Sequence, residues 1–235
     1  MFSLKTLPDV IIDKIKLYII FTPLQYFKLR NAVNLWCEHK KVAFKLFGHI
    51  SLWDTKYITN MRNLFWKKST FNSVISSWNV SNVESMASMF LNASLFNQPL
   101  NNWDVSNVKN MDHMFSEATS FNQPLDSWDV SNVIKMNFIF SNAIKFNQPL
   151  NNWNVKNVYS MYHMFSGAKS FNQTLNNWNV SNVLNMEGMF QGAKSFNQPL
   201  YNWDVSCVVQ MEFMFKCAIL FNQLINNWNV RNVIN

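Results

Sequence analysis

Tryptophan recurs at positions 53, 78, 103, 128, 153, 178, 203 and 228, a 25-residue spacing held without insertion or deletion. Two phenylalanine series accompany it, at 65, 90, 115, 140, 165, 190 and 215, and at 71, 96, 121, 146, 171, 196 and 221, the second always followed by asparagine. A fixed period of this length requires a repeat architecture, in which each unit buries its apolar face against its neighbours. It also excludes long functional loops between units. The first unit, LWDTKYITNMRNLF, keeps Trp53, Met61 and Phe65 but replaces the V-S-N-V stretch, as expected of a terminal repeat that meets something different.

Within a unit, Val108, Met111, Met114, Phe115 and Ala118 lie on one face of a helical projection, so the pattern predicts a helix over SNVKNMDHMFSEA. Ser106 is a candidate N-cap, and Ser81 with Glu84 a candidate capping box. NNWDV alternates apolar and polar residues and predicts a short strand. TSFNQPL, with Pro in four units and Thr174 or Leu224 in others, predicts an extended or turn connection. The expected fold class is therefore α/β, a curved leucine-rich-repeat-like solenoid of strand-helix units with a short N-terminal α-helical module. Curvature follows because strands stack at about 4.8 Å and helices at roughly 8 to 10 Å. Residues 1–48 form the helical module and 49–235 the solenoid, about seven and a half repeats.

Each column has a structural reading. The Trp, Val, Met and Phe columns form a continuous core, each fully buried member contributing roughly 1.5 to 3 kcal/mol. Asn97, Asn122, Asn147, Asn172 and Asn197 read as a ladder whose amides serve backbone groups left open at a turn. The column between Trp and Val, Asp54, Asn79, Asp104, Asp129, Asn154, Asn179, Asp204 and Asn229, points away from the core. It reads either as solvated turn chemistry or as a concave polar face that meets a protein or glycan. Single acids one rung apart do not make a calcium site.

Nothing in the sequence assembles a reaction centre. His113 and His163 share a column two units apart with Phe138 between them, which suits solvent-edge histidines better than a metal pair. Asp112 and Glu117 have no converging nucleophile, and the four glycines form no phosphate loop. Cys37, Cys207 and Cys217 lack C-x-x-C spacing, which argues against a disulfide framework and a zinc site and for reduced, packed thiols. The expectation is a non-enzymatic protein with no cofactor and no metal. The net charge of +7 arises mainly in the first fifty residues, so the repeats carry no basic stripe for nucleic acid. Asp13, Lys14 and Lys16 interrupt the apolar stretch Val10–Phe21, so neither a signal peptide nor a membrane span is read there.

The unit W-[DN]-V-S-N-V-x-x-M-x-x-M-F-x-x-A-x-x-F-N-Q-P resembles the 25-residue repeat of the BspA-like leucine-rich-repeat surface proteins of bacteria and some protists, abundant also in mycoplasma lipoproteins. The resemblance covers about residues 50 to 235 and implies an array used for protein interaction or adhesion. Before the repeats, Leu7, Pro8, Ile12 and Ile15, then Pro23, Tyr26, Phe27, Leu29 and Trp36, resemble an F-box, the helical module that docks on Skp1 in cullin-based ubiquitin ligases. This resemblance implies Skp1 binding through Leu7, Pro8, Ile12, Ile15, Tyr26, Phe27, Leu29 and Trp36, with an unknown target held by the repeats. Proteins of large DNA viruses that join such a box to repeats are similar, which would place the chain in the host cytoplasm. The alternative is a surface or adhesion-type repeat protein whose N-terminal helices only cap the solenoid.

Overall fold

The computed structural model describes residues 20–234. The part of the expected N-terminal helical module that carries Leu7, Pro8, Ile12 and Ile15 lies outside the described residues. Helix α1 spans Tyr26–Glu38 and helix α2 Lys40–Phe47, and a single 3-10 turn, Ile50–Leu52, leads into the first repeat. Helix α1 buries Leu29, Ala32, Val33 and Trp36, spaced three and four residues apart on one side. Helix α2 ends at Gly48, whose φ of +70° turns the chain out of the helix where a side chain would be strained.

The expected strand-helix unit is overturned. From Trp53 onward the described residues contain no helix and no strand, only turns and isolated parallel bridges such as Ser85 to Asn110 and Asn110 to Lys135. In the predicted helix, Met114 N–H donates to Met111 O, Ser116 to His113 O and Ala118 to Phe115 O, all three-residue turns. The alternate amides leave the unit altogether: Met111, His113, Phe115 and Glu117 N–H donate to Lys135, Asn137, Ile139 and Ser141 O of the next repeat, at 2.7 to 2.9 Å. A helix directs its amides along its own axis and could not make these bonds.

The reason is dimensional. Equivalent phenylalanines of successive repeats stack with ring centroids 5.3 to 5.7 Å apart, and equivalent tryptophans at 6.2 to 6.5 Å. That spacing admits one extended rung per repeat and is too tight for helices, which pack at about 8 to 10 Å. The same mismatch was the basis for expecting curvature, so that expectation loses its support.

Consecutive turns require left-handed residues at two columns. Asn63, Ser88, His113, Phe138, His163, Gly188 and Phe213 form one, and Lys67, Asn92, Glu117, Asn142, Gly167, Gly192 and Cys217 the other, all with φ of +50° to +68°. A positive φ at the third turn position is the type II pattern. Asn or Gly fills four of the seven positions of the second column, the types that tolerate it best. The apolar periodicity that imitates a helix is real: Met111, Met114, Phe115 and Ala118 are fully buried. Their spacing arises from two successive turns.

Three further ladders close the backbone account. Trp Nε1 of each repeat from Trp78 to Trp228 donates to the carbonyl 28 residues earlier, for example Trp128 to Leu100 O at 3.0 Å. Asn97 Oδ1 accepts from Asn122 N–H at 2.9 Å and Gln123 Nε2 at 3.0 Å, and the pattern repeats along the expected asparagine ladder. A second one, not anticipated, runs through Asn82, Asn107, Asn132, Asn157, Asn182 and Asn232, each donating to a carbonyl of the preceding repeat at 2.6 to 2.7 Å. The predicted caps are not formed: Ser106 bonds Asp104, Ser81 bonds Asn79, and Glu84 pairs with Lys109.

Candidate functional surfaces

The F-box-like residues divide into two groups. Leu7, Pro8, Ile12 and Ile15 lie outside the described residues. Of the others, Leu29 and Trp36 are buried, and Trp36 Nε1 donates to Ser73 Oγ at 3.0 Å while its ring meets Trp53 edge-on. Tyr26 Oη donates to Arg62 O at 2.5 Å. These three side chains are committed to the first repeats, where α1 covers the end of the aromatic stack. Phe27 faces outward and is 54% exposed.

The eight Asp and Asn residues of the outer column do share one surface, seven exposed and Asp54 half-buried. Each uses Oδ1 to accept the backbone N–H two residues on: Asp54 from Lys56, Asn79 from Ser81, Asp104 from Ser106, Asp129 from Ser131. Asn154, Asn179, Asp204 and Asn229 do the same with Lys156, Ser181, Ser206 and Arg231. These are Asx turns. The bonds from Ser131 and Ser206 hold the carboxyls of Asp129 and Asp204 below the usual range. One oxygen per residue is spent on the turn, and its other polar atom remains at the surface.

His113 stacks on Phe138 at 4.4 Å and Phe138 on His163 at 5.2 Å, all nearly parallel. The phenyl ring separates the two imidazoles, as the column order implies. Burial pushes both histidines below their ordinary value, and burial pushes the Asp112 carboxyl up while its Oδ1 accepts the Asn137 N–H at 2.8 Å. Among the described residues no three His, Cys, Asp or Glu side chains are grouped to hold a metal ion. Of the three cysteines, Cys37 is partly buried, and burial pushes its thiol up to about 11. Cys207 and Cys217 are exposed, which corrects the expectation that they are packed. Among the described residues no helix is long and apolar enough to cross a membrane.

One surface escaped the column-by-column reading. The position just after the buried Val of V-x-x-M reads Thr59, Glu84 and Lys109 in early repeats, then Ile134, Tyr159, Leu184, Val209 and Ile234. Its change from polar to apolar is visible in the sequence, and Lys109 in the same column already reads there as an outward position.

None of the curated proteins and none of the solved structures gives a significant match. The family described as "Mycoplasma protein of unknown function, DUF285" matches residues 34–153 and again residues 136–235. The two overlapping matches take in every repeat, and the chain belongs to this family of repeat proteins.

Proposed function

We propose that the protein is a non-catalytic interaction adaptor, in which the helical module docks one protein and the solenoid holds another. By the F-box resemblance, the first partner is a Skp1-like protein in the cytoplasm. The observation that carries the reading is the outer side of the module. Leu24, Phe27, Val42, Phe44 and Leu46 are each more than half exposed, although α1 has already buried Leu29, Ala32, Val33 and Trp36 against the repeats. A helix pair that served only as a cap would need one apolar face, and its outer side would be polar. Apolar side chains left exposed after the end of the array is covered are what a docking surface draws on.

Mixing purified protein with Skp1 tests the reading, scored by co-elution in size-exclusion chromatography. Wild type should co-elute and Phe27→Asp, at an exposed site, should not. A folded wild type that never co-elutes refutes Skp1 as partner. The cap-only alternative, a surface or adhesion-type protein, is favoured by the burial of Leu29 and Trp36 at the solenoid end. Digestion by protease added to intact cells would support that alternative.

A further inference from the structure

We propose that Ile134, Tyr159, Leu184, Val209 and Ile234 form a docking stripe for an acidic amphipathic α-helix supplied by a partner protein. The five residues occupy one column in successive repeats. Ile134, Tyr159 and Leu184 are 40, 42 and 50% exposed. They are bordered by the outward Asn132, Asn157, Asn182 and Asn232 on one side and by Lys135, Asn185 and Gln210 on the other. An apolar line inside a polar frame is the anatomy of a recognition site.

Three observations select the occupant. From Tyr159 to Ile234 the backbone along the stripe is already paired rung to rung, Leu184 N–H to Tyr159 O at 2.9 Å, Val209 N–H to Leu184 O at 2.8 Å and Ile234 N–H to Val209 O at 2.9 Å, so an added strand would find no hydrogen-bonding edge there and contact must be made by side chains. Rungs about 4.8 Å apart lie close to the 5.4 Å pitch of an α-helix, so one apolar residue per turn follows the column over four or five rungs. Around the stripe, the segments SNVIK, KNVYS, SNVLN, SCVVQ and RNVI hold Lys135, Lys156 and Arg231 and no acid, which matches a helix with glutamate or aspartate beside its apolar seam. A second copy of the chain fits less well. Two copies would oppose like charges, the Lys135, Lys156 and Arg231 of one stripe facing those of the other.

The inference rests on the reading of the protein as an interaction scaffold, but on neither Skp1 nor the helical module. The probe is a fluorescein-labelled helical peptide with one leucine per turn over four turns and glutamates flanking them, titrated with full-length protein and read by anisotropy. Wild type should bind with micromolar affinity, and a peptide with lysines replacing the glutamates should bind at least tenfold more weakly. Leu184→Lys and Ile134→Lys, both at exposed sites and checked for wild-type thermal unfolding, should each weaken binding at least tenfold. Phe27→Asp should leave it unchanged, which separates this surface from the module. Failure of folded wild type to bind, equal binding by both lysine variants, or loss of binding in Phe27→Asp would each overturn the proposal. Sedimentation showing a wild-type dimer abolished by Leu184→Lys would overturn the choice of occupant in favour of a second copy.

Discussion

Replacing Gly188 by alanine isolates the cost of the rung geometry. Gly188 has a φ of +58°, and a methyl group built on it would overlap the imidazole of His163, with Nδ1 at 2.5 Å and Nε2 at 2.8 Å. Gly192 supplies the control, since its φ is +68° and its nearest neighbour to such a methyl, Gly167 Cα, is 3.8 Å away. Gly192→Ala should therefore cost only the left-handed conformation, about 1 kcal/mol. Gly188→Ala pays that and must also move the His163 ring off Phe138, adding about 0.5 to 1.5 kcal/mol of lost stacking. The expected total is about 1.5 to 2.5 kcal/mol. In a His163→Ala background the ring is gone, and Gly188→Ala should fall back to the cost of Gly192→Ala. Urea unfolding followed by tryptophan fluorescence, with hydrogen exchange at the His163 and Phe165 amides, measures all four variants. An equal cost of Gly188→Ala in both backgrounds would refute the stacked column.

Two other substitutions test the ladders and the aromatic column. Cys207 occupies a position where other repeats place an asparagine that bonds the preceding unit, as Asn182 bonds Lys156 O at 2.7 Å; Cys207→Asn should stabilise the chain by about 0.5 to 1 kcal/mol, the worth of one exposed hydrogen bond, and a thermal scan showing no gain would count against that ladder as a source of stability. Burial lowers the His113 pKa from 6.5, so the neutral ring is favoured in the folded state and stability is lost as pH falls below about 6.5 toward the folded value. His113→Phe, in a column that already accepts Phe138 and Phe213 at positive φ, should flatten part of that acid-side loss, and an unaltered stability profile between pH 7 and 5 would contradict the assignment.

Legibility in the sequence differed by residue. The core was readable because Trp, Val, Met and Phe recur at fixed offsets, and every predicted core column is buried through the interior repeats. The asparagine ladder was readable because an amide recurring beside a turn has a backbone partner within reach. The unit's secondary structure was misread at Met111, Met114, Phe115 and Ala118, whose spacing fits one face of a helix and equally two consecutive turns. A signal that distinguishes them was present in the Asn and Gly residues at positions 63, 92, 142, 167, 188 and 192. Those residue types tolerate positive φ and weaken helices, but Phe138, His113 and Glu117 in the same columns obscured it.

The amino-acid sequence by itself determined the repeat period, the identity of the buried columns and the continuity of the stack, because apolar burial depends on residue type and interval alone. Only the tertiary structure decided where the backbone hydrogen bonds go. Amides at alternate positions bond the neighbouring rung at a spacing too small for helices, a choice that depends on how repeats pack on one another. That packing turns Ile134, Tyr159 and Leu184 outward into one line, and spends Leu29 and Trp36 on closing the end of the array.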